Sequence, residues 1–424
     1  MRPPARLLLA TLLLCLALAA ATPSSVLAAS AIGPAKALGG SKKVTTTAKT
    51  TAGAAGAGKQ SGKGPSKEEP TTVLGSPTGG GTVPVEKPTP LPEAEPLPQT
   101  PGGPVYWGAT IGEQLTGTQA PWDMSAVSSF EATTHHSLSL VQFFQPFSSC
   151  SGGSCSFYSF PTTPLENIRR HGAIPVLSWS SQSIPSSVEE PEYQLSDLIS
   201  GRYDSYIREF AAKAKAWGNP FFLRFDWEMN GNWFPWSEGV NGNKPGEYAA
   251  AWRHVHDIFS EVGASNVTWV WCPNVDWNGN VQSIGNTYPG NAYVDWIGLD
   301  GYNWGTNPSH PGGWQSFDQL YRSSYRYLVE SVAPTKPMMI AEVASSEYGG
   351  SKAAWIREML TKVPTEYRDV RALLWFDKYD DGMDWPIESS SAASAAFAEG
   401  IQSPSFVGNS FSSLSTAVIQ PAAS

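Results

Sequence analysis

The chain has little charge for its length. Acidic and basic residues together make up 15% of 424 positions, and the 28 Lys and Arg are outnumbered by 37 Asp and Glu. A net charge of -9 and a pI near 5.3 argue against nucleic acid and anionic membranes as partners, and leave a neutral substrate. Histidine is scarce, and none of the six, His135, His136, His171, His254, His256 and His310, shows ligand spacing. His254 and His256 stand two apart on a helical pattern and so face differently, which excludes a helix-borne metal pair; neither metal nor cofactor is expected. Cysteine is limited to four. Cys15 falls in an apolar run, Leu7 to Ala21, that is short for a membrane span. Preceded by Arg2 and Arg6 and followed by small residues, residues 1–29 read as a secretory signal peptide, with an uncleaved anchor as the alternative.

Large apolar residues are almost missing between 30 and 103, where Gly, Ser, Thr, Pro, Ala and Lys dominate. Such a segment cannot bury enough surface to offset its chain entropy. It is expected to be a disordered linker, stiffest in the Pro-rich part from Val83 to Pro104, and capable of cell-wall association. Residues 403–424 read as a flexible tail. The chain is expected to be secreted and monomeric.

Between 104 and 402 the pattern changes. Eight short apolar runs begin near Pro104, Leu138, Ala173, Pro220, Val267, Asp295, Lys336 and Val370, separated by amphipathic segments. Tyr203, Ile207, Phe210, Ala214 and Trp217 repeat at helical spacing and stop at Gly218. Tyr248, Trp252, Val255, Phe259 and Val262 do the same and stop at Gly263. Eight strand–helix repeats point to an α/β fold, a (β/α)8 barrel, with a doubly wound open sheet as the alternative. Chemistry in such a barrel sits at the C-terminal ends of the strands. Those ends carry Trp107; Gln142 and Gln145; Trp179; Arg224, Asp226 and Glu228; Trp271 and Asn274; Asp300, Tyr302 and Trp304; Glu342; and Trp375 and Asp377.

The stretch FFLRFDWEMNGNWFPW, Phe221 to Trp236, is the densest of these. Strand alternation would put Arg224, Asp226 and Glu228 on one face, where three charges are too costly to bury unpaired and so should converge on a wet pocket or on one another. The Asn230–Trp236 loop beyond has the aromatic and turn composition of a carbohydrate site, with Asn230, Trp233 and Trp236 as candidate contacts. Glu342 interrupts the apolar run MMIAEVA. Two carboxyls at strand ends suit glycosidic cleavage, which needs one protonated group and one anion. Glu228, among Trp227, Met229 and Trp233, is the candidate acid, because desolvation raises a carboxyl pKa. Glu342 is the candidate anion, kept ionised if Arg224 and Tyr302 point at it. Rim tryptophans at 107, 179, 233, 236, 277 and 304 could stack on sugar faces, and about half are expected to do so.

RFDWEMNGNWFPW at Arg224 to Trp236 resembles the acid/base motif of glycoside hydrolase family 26. WCPN at Trp271 to Asn274, DGYNW at Asp300 to Trp304 and the AEVAS strand at Ala341 to Ser345 follow in the same order. The resemblance implies a (β/α)8 barrel and a retaining double displacement, with Glu228 as acid/base and Glu342 as nucleophile held by Arg224 and Tyr302. It places Trp375 as the floor beneath the sugar; Trp107, Trp179, Trp271, Trp233, Trp236 and Asn230, read from their rim and loop positions, are the further candidate substrate-binding residues. β-1,4-Mannan is the first candidate polymer, and β-1,3-xylan or mixed-linkage β-glucan the alternatives. One departure bears on that choice: family members usually carry His before the acid/base, where this chain has Trp227. That tryptophan either adds a stacking surface or points into the helix layer. A non-catalytic polysaccharide-binding protein on a barrel scaffold is the reading from another class.

Cys150 and Cys155 flank SGGS and are expected to form a disulfide, which fits an exported chain. Cys272 is expected to be a buried free thiol. Asn266 opens NVT, either a glycosylation acceptor or a bare loop residue.

Overall fold

The computed structural model describes residues 102–423 apart from 309 and 311. The expected signal peptide and all but the last two residues of the expected linker lie outside the described residues. Eight parallel strands form the frame: β1 (Val105–Ile111), β2 (Leu140–Ser151), β3 (Ile174–Ile184), β4 (Phe221–Phe225), β5 (Val267–Trp271), β6 (Trp296–Asn303), β7 (Met338–Ser345) and β8 (Val370–Asp377). Each pairs with its sequence neighbour, and β1 pairs with both β2 and β8, so the sheet closes on itself. The open-sheet alternative is thereby excluded.

Helices α1 (Met124–Thr134), α2 (Thr162–His171), α3 (Asp204–Trp217) and α4 (Glu247–Val262) follow the first four strands. After β5 the connection holds only the four-residue α5 (Gln282–Gly285). Then come α6 (Phe317–Tyr327), α7 (Lys352–Thr365) and α8 (Ser391–Gly400). Local sequence sets the helix ends. Asp123 caps α1 by accepting from the Ser125 amide, and Ser316 and Gln319 make a reciprocal capping box on α6. Gly218 and Gly263 terminate α3 and α4 at φ 73° and 78°, a conformation that costs glycine nothing.

Residues 403–424 depart from the flexible tail expected of their Ser-rich composition. Phe406–Val407 adds a short parallel strand to β1. Ile419 is fully buried, accepts the Trp296 indole N–H at 2.8 Å and donates its own amide to Thr268 Oγ1 at 2.8 Å. These partners lie toward the N-terminal ends of their strands, and an apolar plug there removes the bottom of the barrel from water.

Strand alternation divides the interior. On β5, Trp269 and Trp271 face the helices while Cys272, just beyond the strand, faces the lumen, 3.1 Å from Asp300. The outward layer is strongly aromatic: Trp179 stacks on Phe210 at 4.2 Å, and Trp107 packs on Phe130 and Phe397.

Candidate active site

The mouth is built around a fully buried guanidinium on β4. Arg224 Nη1 donates to both carboxylate oxygens of Asp300 on β6, at 3.0 and 3.2 Å, and Nη2 donates to Glu342 Oε1 on β7. Asp300 and Glu342 are cross-strand neighbours in the β6–β7 register, which sets them side by side for one planar fork. Tyr302, two residues beyond Asp300 and therefore on the same face, donates its hydroxyl to Glu342 Oε2. Both oxygens of Glu342 are thus held by donors. Each such bond favours the anion.

Glu228 is treated differently. β4 ends at Phe225, and the chain then takes left-handed conformations at Asp226 (φ 41°) and Glu228 (φ 53°). Positive φ at non-glycine residues is costly and concentrates at functional sites. It also breaks the alternation expected from sequence. Asp226 leaves the common face: its carboxylate accepts from the Ser181 amide and hydroxyl, both at 2.7 Å, and ties the loop to β3. Burial pushes the Asp226 pKa up to about 8, against those two bonds. The Glu228 amide donates to the Cys272 carbonyl at 2.7 Å, fixing the bend against β5. Its Oε2 accepts the Trp233 indole N–H at 2.7 Å. Trp233 can fold back because Gly231 lies under it: a Cβ there would meet the indole at 2.5 Å. Burial and the nearby Glu342 charge push the Glu228 pKa up to about 8, only partly offset by Trp233 and Arg224. Asp300 and Glu342 already crowd the one guanidinium, and burial raises the Asp300 pKa as well, so ionising Glu228 beside them is disfavoured.

Trp227 settles on the lumen side. Its ring lies 4.8 Å from the Arg224 guanidinium carbon, with Phe144 of β2 5.3 Å away, and it is covered by Phe234 and Trp236. It backs the guanidinium and does not enter the helix layer.

Several expected substrate contacts are corrected. Trp107, Trp179, Trp271 and Trp375 share the outward parity of their strands and are buried against helices and connecting loops. Trp375 packs on Trp355 and Phe397 and donates to the Trp385 carbonyl at 3.1 Å, so it is not a sugar floor. Phe376, one residue on, takes the inward place, 5.6 Å from the Tyr302 ring and 6.4 Å from Phe144. Trp236 is buried in the loop with its N–H on the Trp227 carbonyl at 2.6 Å. The Asn230 amide is consumed by the Asn274 backbone, donating at 2.8 Å and accepting at 2.8 Å. Among the expected contacts, Arg224, Trp233 and Tyr302 are brought together with the two glutamates.

Sequence reasoning placed Asp300 at a strand end but gave it no role, and it passed over Phe144, Phe376 and Trp385. Asp300 could have been found from parity, since it is two residues before Tyr302. Trp385 could not: it comes from the loop after β8 and packs on Tyr302 at 5.1 Å and Trp304 at 4.8 Å. Trp277 keeps its rim place, 45% exposed, with its N–H on the Asn230 carbonyl. Cys150 and Cys155 form the expected disulfide, across a hairpin between β2 and Ser154–Phe157, and Cys272 is a buried thiol. The Asn266 side chain is buried, bonded to the Ala214 and Asn219 carbonyls, and so is not presented for glycosylation. No group of three or more metal-type ligands occurs among the described residues.

The family model described as Glycosyl hydrolase family 26 matches residues 148–327, which span β3 to β6 and carry Arg224, Glu228, Asp300 and Tyr302. The barrel belongs to this family. Endoglucanase H of Acetivibrio thermocellus is 38% identical over 298 residues, covering 69% of this chain and 30% of that protein. A mannan endo-1,4-beta-mannosidase of Bacillus subtilis is 31% identical over 144 residues, 32% of this chain and 34% of that protein. The chain thus spans about a third of the length of these two relatives. The solved structure of a modular endo-beta-1,4-mannanase from Cellulomonas fimi superposes with a TM-score of 0.55 at 17% identity, covering 73% of this chain and 72% of that one, a likeness of fold.

Proposed function

We propose that this protein is a retaining endo-β-glycanase in which Glu228 is the acid/base and Glu342 the nucleophile. The observation that carries the reading is the asymmetry of the two carboxyls. Glu342 has an N–H donor on one oxygen and an O–H donor on the other, as an attacking anion requires. Glu228 has one indole donor, deep burial and a like charge nearby, as a proton reservoir requires. In the first step Glu342 attacks the anomeric carbon while Glu228 protonates the departing oxygen. In the second, Glu228 takes a proton from water, which displaces the sugar from Glu342. The Glu342 carboxylate, beside the anomeric carbon, favours the positive charge that builds on the sugar between these steps.

For the polymer, a β-glucan is the first reading, supported by the relative named endoglucanase, whose likeness runs over 298 residues. A β-1,4-mannan is the second, supported by relatives named mannan endo-1,4-beta-mannosidases over shorter stretches. Trp227 weighs against the second, because it stands where members of the family usually carry His. Mixed-linkage β-glucan, β-mannan and β-1,3-xylan should be offered side by side. Release of reducing ends whose anomeric configuration matches the substrate supports the reading. Affinity without release would favour a binding protein, and inverted products would remove Glu342 as nucleophile. The surface hairpin disulfide supports export from the cytoplasm, and mass spectrometry of the culture medium tests whether cleavage occurs near residue 29.

A further inference from the structure

β2 and β3 run past the barrel rim. Their paired extensions, Ser148–Ser183 and Ser149–Ile184, carry the hairpin closed by Cys150 and Cys155. Nothing in the catalytic mouth touches this hairpin, yet it is braced covalently and presents Phe157 at 47% exposure. The Phe157 ring leans on Tyr206 of α3 at 4.6 Å and on Tyr203 at 6.0 Å. Tyr203 in turn stacks on Tyr193, with rings 6° from parallel. Beside these rings runs an open groove of about 860 Å³, and a smaller dent of about 80 Å³ is also lined by Phe157 and Tyr206.

The polar groups of the groove complete a recognisable chemistry. Arg202 is paired with Asp197 at 2.7 Å and Glu209 with Lys213 at 2.5 Å, and the exposed Glu192 adds one further acidic group, so the groove carries no strong field of one sign. Ser205 is exposed and Ser183 lines the floor. The exposed Phe157 ring and the half-buried Tyr206 ring, with hydroxyls and largely paired charges around them, suit a neutral, polyhydroxylated chain better than an ion or an apolar helix. The groove lies at the same end of the barrel as the mouth, where one long polymer could reach both.

We infer that this groove is a second glycan-binding site, outside the mouth, holding a segment of the same neutral β-linked polymer that the mouth cleaves. The inference rests on the glycanase reading, and its test separates the two. Full-length Glu342→Gln protein, with Phe157 intact or changed to Ala, is run by affinity electrophoresis through gels containing mixed-linkage β-glucan, β-mannan or β-1,3-xylan. Losing one stacking face should weaken retention about twofold to tenfold. Ser205→Trp, which fills the groove from α3, should do the same. In the protein with Glu342 intact, both changes should leave hydrolysis of a short oligosaccharide unaltered, which also reports that the barrel is folded. Retention untouched by both substitutions overturns the site, as does a protein that binds none of the polymers. A parallel fall in oligosaccharide hydrolysis also overturns it, because the groove would then be part of the mouth. Should the unsubstituted protein cleave nothing, the glycanase reading falls, while the retention shift still decides the groove.

Discussion

Two sets of side chains stand on the barrel strands, all but Trp107 of β1 toward the C-terminal ends, and have opposite fates. Arg224, Asp300, Tyr302 and Glu342 face inward and form one hydrogen-bonded charged cluster. Trp107, Trp179, Trp271 and Trp375 face outward and disappear into the packing outside the barrel wall. Both sets looked like site residues in the sequence. The side of the wall, not residue type or height on the strand, decides which set can do chemistry.

The largest expected effect tests the inward set. Glu228→Gln should lower kcat on polymer by about 10²- to 10⁴-fold, the range for a lost proton donor, and Glu342→Gln by at least as much. The two should part on a substrate whose leaving group needs no proton: first-step turnover recovers for Glu228→Gln and stays lost for Glu342→Gln. Equal losses on both substrates would merge the roles that the geometry separates.

The outward set should respond in the other currency. Trp271→Ala or Trp179→Ala removes a fully buried indole and should cost about 3–5 kcal/mol of stability. Activity per folded molecule should stay within about twofold, because neither ring touches the mouth. Denaturant titration with activity at matched folded fraction checks this. A kcat loss without a stability loss would return these rings to the substrate.

The fold was legible because its signals are periodic. Eight apolar runs, helices stopped at Gly218 and Gly263, and a barrel's habit of placing chemistry at strand ends sufficed to single out Arg224, Glu228, Tyr302 and Glu342, which the fold brings together. The tryptophans went wrong because position along a strand was read and parity was not. Counting by twos from Glu342 or Tyr302 applies within one strand only; carrying parity across to β1, β3 or β8 needs the register, which no local pattern states. Asp226 went wrong for the converse reason: alternation was applied past Phe225, where left-handed residues end it. Trp385 and the packed tail were illegible because loops and tails are placed by distant contacts, here Tyr302 and Trp296.

Trp227 belongs to neither set, and it sharpens the comparison. It is a tryptophan on the inner side, lying over the Arg224 guanidinium. Trp227→Leu keeps an apolar cover but removes the ring face, an interaction of about 1–2 kcal/mol when desolvated. We expect kcat to fall about tenfold with KM changed less, since the loss is felt through the orientation of Arg224 and Glu342. A change confined to KM would make Trp227 a sugar platform.

The smallest effect is a displacement in pH. Glu228 is held protonated up to about pH 8 by burial and the Glu342 charge, so the alkaline limb of kcat/KM should fall near there. The Trp233 N–H favours the ionised form. Removing it in Trp233→Phe should therefore move that limb up, by about one pH unit for one hydrogen bond to a carboxylate. The same proton appears in stability. The folded pKa lies above the ordinary carboxyl value, so its contribution is complete below about pH 4.5 and lost as pH rises through about 8. Glu228→Gln has no proton to lose there, and its stability relative to the unsubstituted protein should rise between pH 5 and pH 9. A limb that stays in place in Trp233→Phe, together with a flat stability difference, would mean that the group titrating near pH 8 is not Glu228. The neighbouring candidate is Asp226, whose pKa burial also raises to about 8 but whose carboxylate is tied to Ser181 on β3. Ser181→Ala would then move the limb where Trp233→Phe did not.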